Sequence, residues 1–183
     1  MVSSVRNEEG VTATVEGINK LKAAMTGLPD KLRKKVLLSA LRKGAALVRK
    51  AARDATPVLQ QTIPYRTKGL LKKRLMVRVS RESKSQGNVG VFVNIKPLPK
   101  SSRSTFNPQD PYYWRFVAFP TKAHEIKARR VKFLYFNGNF AKSVLHPGWK
   151  GENFLQAGAD VLPKALEVFE REVIPAIEKF NHP

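Results

Sequence analysis

The sequence predicts an α+β fold, an antiparallel sheet of β-hairpins packed against one long helix in the N-terminal half and a C-terminal helix. Three observations carry that expectation. Residues 30–55 contain no Pro and set Val36, Leu37, Ala40, Leu41, Gly44, Leu47, Val48, Ala51 and Ala55 on one side of a helical wheel. Two later stretches, "RLMVRVSRESKSQGNVGVFVNI" and "VKFLYFNGNFAKSVLH", alternate apolar and polar residues about polar turns, as hairpins do. From Phe154 onward, Leu155, Val161, Leu162, Leu166, Phe169, Val173 and Ile177 recur at helical spacing, which gives the terminal helix.

Taken in chain order, Val11, Ala13 and Val15 alternate as a short strand. Ile18, Leu21, Met25 and Leu28 then follow at helical spacing and stop at Gly27 and Pro29, a helix of about ten residues. Asp30 is expected to cap the long helix, which must end before Thr56 and Pro57 because a residue preceding proline avoids helical backbone. Leu75, Val77 and Val79 form a strand that "SKSQGN" turns into "NVGVFVNI". Residues 97–111, rich in Pro and Ser, read as a loop or ordered arm of the kind that contacts a neighbour, or as a floppy insertion. "YYWRFVAFPT", residues 112–121, is the most aromatic stretch and is expected to be buried, with a turn at Pro120. The second hairpin turns about Asn137, Gly138 and Asn139, with Phe133 and Tyr135 on one face and Leu134 and Phe136 on the other. Pro163 suits a first helical turn, and Pro175 is expected to kink the helix end. Residues 1–183 are read as a single domain without internal repeats, with the arm at 97–111 as its one irregular extension.

Charge separates the two ends of the chain. Lys and Arg number 34 against 14 Asp and Glu, a formal net of +20, a field that draws polyanions or acidic protein faces. Residues 151–183 nonetheless carry six acids and three bases, while residues 1–150 carry eight acids and 31 bases. The acidic tail can either meet a neighbouring copy or fold onto its own basic body. Within the long helix, Lys31, Lys35, Arg42, Arg49 and Arg53 fall in an arc of roughly 40° at 100° per residue. Arg33, Lys34, Lys43 and Lys50 add to the run, and no acid lies between 31 and 53. Like charges at i, i+4 repel by a few tenths of a kcal/mol per pair. The basic face is therefore the expected interaction surface, with a solvated face that serves only solubility as the alternative.

Catalytic machinery is not visible in the sequence. "HEIKA" begins like a metalloprotease helix, but Ala128 stands where the second histidine must be for two imidazoles to reach one metal. His124, His146 and His182 are the only histidines, and there is no Cys, so no disulfide framework or thiolate site arises. No nucleophile elbow, P-loop or dinucleotide fingerprint occurs, and Asp110, Glu125 and Glu152 offer no evident convergent carboxylates. The expectation is a non-enzymatic protein with no metal and no cofactor. No run approaches a membrane span, and "MVSSVRNEEG" lacks the apolar core of a secretory leader. Arg129, Lys132, Phe133, Tyr135 and Phe136 resemble a base-stacking platform, or else the aromatics fill the core.

One corner remains, "KSVLHPGWKGENFLQAGAD", where His146, Pro147 and Gly148 either make a site or turn the hairpin into the terminal helix. Pro would fix φ there and Gly would permit left-handed backbone. With that corner the ordered set of motifs resembles the small virion-morphogenesis family of lambda-like long-tailed bacteriophages, the minor tail, tail-completion or head-tail joining proteins. The counterparts are Gly17, "ALRKGAALVRKAARDATP" ending at Pro57, "TKGLL" with Gly69, "YYWRFVAFPT", "VKFLYF", "VLHPG" from Val144 to Gly148, and "ENFLQAGAD". Ala118, Pro120 and Gly158 depart from the usual residues, and Pro97 to Pro111 looks like an insertion. The resemblance implies a building block of the virion neck or tail, made in the host cytoplasm. It further implies a homo-oligomeric ring, six copies being the first candidate. The expected partners are a terminator, connector or tail-tube protein, with some bases of the ring facing packaged DNA, and no membrane. A free nucleic-acid-binding protein that lays the basic helix on phosphates is the alternative.

Overall fold

The computed structural model describes residues 2–7, 10–15, 29–60, 64, 66–129, 131–136 and 138–181, so the helix expected over 18–28 lies outside the described residues. The strand expected from Val11 belongs to β2 (Gly10–Val15), which pairs antiparallel with β1 (Val2–Asn7) from Val2↔Val15 to Asn7↔Gly10. The long helix, α1, runs Asp30–Ala55 as its unbroken periodicity requires. Its start differs in one detail. Pro29 takes the cap position without a side-chain cap bond, and Asp30 is already helical, its carboxylate bridging Arg33 and Lys34, at 2.7 Å from the latter. At the other end Thr56 turns to extended backbone before Pro57, and its hydroxyl donates to the Ala52 carbonyl at 2.6 Å.

A short helix α2 (Leu70–Arg74) leads into β3 (Leu75–Val79), which pairs antiparallel with β4 (Val91–Ile95), Val77 opposite Val93. The connection expected as a bare turn holds a one-turn helix α3 (Arg81–Ser85), started by Ser80, whose hydroxyl accepts from the Ser83 amide at 3.1 Å. After α4 (Trp114–Ala118) comes a two-part ribbon: β5 (His124–Lys127) pairs with β8 (Ser143–His146), and β6 (Leu134–Phe136) pairs with β7 (Asn139–Ala141) at the tip. Only Lys142 separates β7 from β8, whereas residues 128–133 separate β5 from β6, so one side of the ribbon bulges. Among the described residues the strands thus make four separate two-stranded antiparallel sheets instead of one continuous sheet.

The terminal helix is divided. α5 (Phe154–Asp160) stops at Val161, and α6 (Leu162–Asn181) continues through Pro175. Both lie against α1. Val36 and Ala40 of α1 bury with Phe169, Val173 and Ile177 of α6, and Ala52 buries with Leu71, Leu75, Ile95, Ala118 and Phe154 farther along. Each Val, Leu, Ile or Phe among them contributes roughly 1.5–3 kcal/mol when fully withdrawn from water. Glycine sets both crossings: a Cβ on Gly44 would stand 2.5 Å from the Ala165 carbonyl oxygen, and one on Gly158 would stand 3.0 Å from that of Val48. The wheel is rotated slightly from the expected one, since Ala52 is buried while Leu47 and Ala55 are exposed.

Burial of the aromatic segment holds only in part. Ala118 is buried and Tyr113, Trp114 and Val117 pack half-buried against its cluster, but Phe116 is 65% exposed and Phe119 is also open, because a five-residue helix can turn just one narrow face inward. The arm at 97–111 is tied down at several points. Buried Asp110 accepts backbone amides from Ser104 at 2.9 Å and Tyr112 at 3.0 Å, and Asn107 donates to the Ser102 carbonyl at 2.8 Å. Thr67 donates its hydroxyl to Pro108 at 2.8 Å, joining the arm to the approach of α2.

Candidate interaction surfaces

The basic stripe of α1 lies opposite the side that packs on α5 and α6, so helical geometry alone turns it outward. Lys31, Lys35, Arg42 and Arg53 are exposed, and Arg49 is half-buried. Among the described residues none of the five has an ion pair or a side-chain hydrogen bond. Lys43, off the stripe, bridges to Glu172 of α6. The acidic terminal helix therefore does fold onto its own basic helix, yet among the described residues Glu172 makes its one ion pair there. Glu167, Glu170 and Glu178 face solvent without an ion-pair partner among the described residues.

The His-Pro-Gly corner ends β8. Gly148 has φ 88°, and a Cβ there would stand 2.8 Å from the Thr121 carbonyl oxygen and 2.9 Å from the Ala123 nitrogen. The Gly148 amide donates to Nδ1 of His146 at 3.1 Å, and the His146 ring stacks on His124 directly opposite in the register, centroids 5.0 Å apart. Trp149 exchanges backbone hydrogen bonds with Thr121 at 2.7 and 2.8 Å, and its indole donates to the Val117 carbonyl at 3.1 Å. That carbonyl also accepts the Glu152 amide at 2.8 Å, so the corner binds the ribbon's base to the end of α4 and to the chain entering α5. Exposed Pro147 stands between His146 and Gly148.

Beyond the corner the ribbon offers a surface that sequence periodicity did not reveal as exposed. Tyr135 is 69% exposed and Phe140 74%, opposite one another with ring centroids 5.2 Å apart. Ile126, Val131, Phe133 and Leu145 are open as well. Alternation alone cannot tell a core strand from a projecting one. The exposed Lys122, Arg129, Lys132 and Lys142 interleave these residues, and Glu125 is occupied by Lys127 at 3.0 Å. The hydroxyl of Ser143 and then Lys127 hold the Glu125 carboxyl below its ordinary range.

Among the described residues no cluster of three or more His, Asp or Glu is placed to hold a metal ion, and no helix is long and apolar enough to cross a membrane. What the chain presents is a set of open, mostly cationic faces on a small α+β scaffold. That is the class of a protein built to meet other macromolecules over extended surfaces.

The chain belongs to the bacteriophage family described as "Bacteriophage HK97-gp10, putative tail-component", whose model matches residues 19–119, more than half of its length. It is accordingly a structural component of a phage tail, carried in the virion and in contact with other tail proteins. No curated protein and no solved structure matches the chain. The matched segment contains α1, the first described hairpin after it, the arm and α4, and it ends before the ribbon and the His-Pro-Gly corner.

Proposed function

We infer that this tail component acts in the neck or upper tail, completing the tail or joining it to the head, as one copy of an oligomeric ring and without a catalytic step of its own. The carrying observation is the α1 stripe. Five aligned cations with no ion-pair partner among the described residues, inside the segment that the family model matches, call for neutralisation by something outside the chain. The counter-charge is assigned in this reading to an acidic face on a terminator, connector or tail-tube protein, with phosphates of packaged DNA for any base that faces the channel. The His146-Pro147-Gly148 corner serves in this reading as a joint that fixes the ribbon against the body.

Imaging the intact particle at side-chain resolution tests the reading. The expected result is a ring of this chain between head and tail tube; particles that mature fully without it would overturn the proposal. The same cations favour one other reading, a free nucleic-acid-binding protein. It expects a monomer or dimer that retains duplex DNA with a steep salt dependence.

A further inference from the structure

Two surfaces of this chain are complementary to each other and lie open at the same time. On α6, exposed Glu170, Ile174, Glu167 and Glu178 occupy an arc of roughly 80° at 100° per residue, centred roughly 120° around the helix from the buried Ala165, Phe169, Val173 and Ile177. Ile174 is 51% exposed in the middle of that acidic stripe, which Lys164 and Arg171 border on one edge. On the ribbon, the Tyr135–Phe140 pair is the apolar centre; exposed Lys142 follows Phe140 by two residues, and exposed Arg129 and Lys132 precede β6 on the other side of the ribbon. None of these charged residues has an ion pair among the described residues.

We propose that the tip of the β5–β8 ribbon of one copy docks on the outer face of α6 of the next copy, seating the Tyr135–Phe140 pair over Ile174. This rests on the oligomeric reading above and names its contact. An apolar centre rimmed by opposite charges is the usual anatomy of a specific interface. On a chain of net +20 the α6 stripe is a rare acidic face, so a cationic ribbon has a reason to select it. Because the two surfaces differ, the contact is head-to-tail, and repetition of it closes a ring or extends a stack.

The chain has no Cys, so an engineered disulfide reports the contact without background. Chains carrying Phe140→Cys and chains carrying Ile174→Cys, mixed and mildly oxidised, should give a linked dimer. Replacing the first partner with Phe106→Cys, on the equally exposed arm, should give at least about tenfold less. Lys132→Glu with Lys142→Glu should lower the yield roughly tenfold, and Glu167→Lys with Glu170→Lys on the other partner should restore it. Circular dichroism checks that each variant folds, and Tyr135→Cys serves where Phe140→Cys does not. Absence of the dimer, equal yield from Phe106→Cys, or indifference to the charge exchange overturns the contact. Incorporation into particles is scored separately: a chain that enters particles without this cross-link sinks the contact alone, and a cross-linked chain missing from particles supports the contact and sinks the assembly reading.

Discussion

Gly44 of α1 meets the backbone of Ala165 on α6 so closely that a Cβ at position 44 would lie 2.5 Å from the Ala165 carbonyl oxygen. The obstacle is main chain, which cannot rotate aside as a side-chain end would. Gly44→Ala gains roughly 1 kcal/mol of helix propensity, but separating the helices also loosens the contact of Val36 and Ala40 with Phe169, Val173 and Ile177. We expect a net destabilisation of about 1–3 kcal/mol, or a fall in Tm of roughly 2–4 °C for each of those kcal/mol. Thermal and denaturant melts check it, with Ser39→Ala, at an exposed position of the same helix, expected to change stability by less than about 0.5 kcal/mol.

Arg66 secures the arm through shape as much as charge. Its guanidinium lies 4.8 Å from the Tyr112 ring centre and 4.7 Å from that of Tyr113, while it hydrogen-bonds the Tyr112 hydroxyl and the Thr105 carbonyl. A lysine keeps the charge but loses the planar fork and the double stack. Arg66→Lys should leave the global melt within about 1 kcal/mol and speed proteolysis at Lys100 and Arg103 roughly five- to tenfold. Unchanged cleavage at those sites would show that Asp110 and Thr67 hold the arm by themselves.

Two titrations carry signs that can be worked out. Burial raises the Tyr113 phenol above its ordinary range, although the nearby Arg66 charge pulls the other way. Between the ordinary and the raised value the unfolded chain has lost a proton that the folded chain keeps, so stability falls as pH rises through that alkaline window. Asp30 has the opposite sign. Its carboxyl is held low by Lys34 and Arg33, so its contribution is present above the usual aspartate range and fades as pH drops below it. Asp30→Asn should therefore lower Tm at neutral pH, and the gap to the parent should narrow as pH falls below the ordinary aspartate range and shrink with added salt.

How far the fold could be read in advance depended on how much each segment is governed by its own residues. The 26 residues of α1 announce themselves because a Pro-free run of that length with one apolar side has few other stable forms. The β3–β4 hairpin was legible for the same reason, while β1, with its run of Ser and Arg, gave no apolar alternation to follow. Gly158 read as a departure from a motif, yet it is the point where α5 touches Val48 and Ala52. That contact is tertiary, and only the assembled helices reveal it. The same holds for exposure: the period of the ribbon is written in its sequence, but its distance from the core is not, so Tyr135 and Phe140 could not be told from core residues. The outward course of the α1 stripe was legible for Lys31, Lys35, Arg42 and Arg53, which are exposed, since a helix that buries one side must expose the other, while Arg49 is half-buried.

That stripe gives the last prediction. Arg42 is exposed and Arg49 half-buried, neither has a partner within the described chain, and both stand on a helix whose packing lies on the opposite side. Reversing both to Glu should leave the fold intact, with a change in stability of less than about 1 kcal/mol, because no internal ion pair is broken and like-charge repulsion along the stripe is relieved. The effect should fall on assembly. Two cations facing an acidic partner become two anions, and juxtaposed like charges cost several kcal/mol across an interface. Infectious particle yield in a complementation assay should then drop at least about a hundredfold, with heads and tails accumulating separately. Lysine at both positions should retain most of the yield if the partner reads charge alone. Particles that form normally with the double Glu chain, while its retention of duplex DNA collapses, would transfer the stripe from protein assembly to nucleic-acid binding.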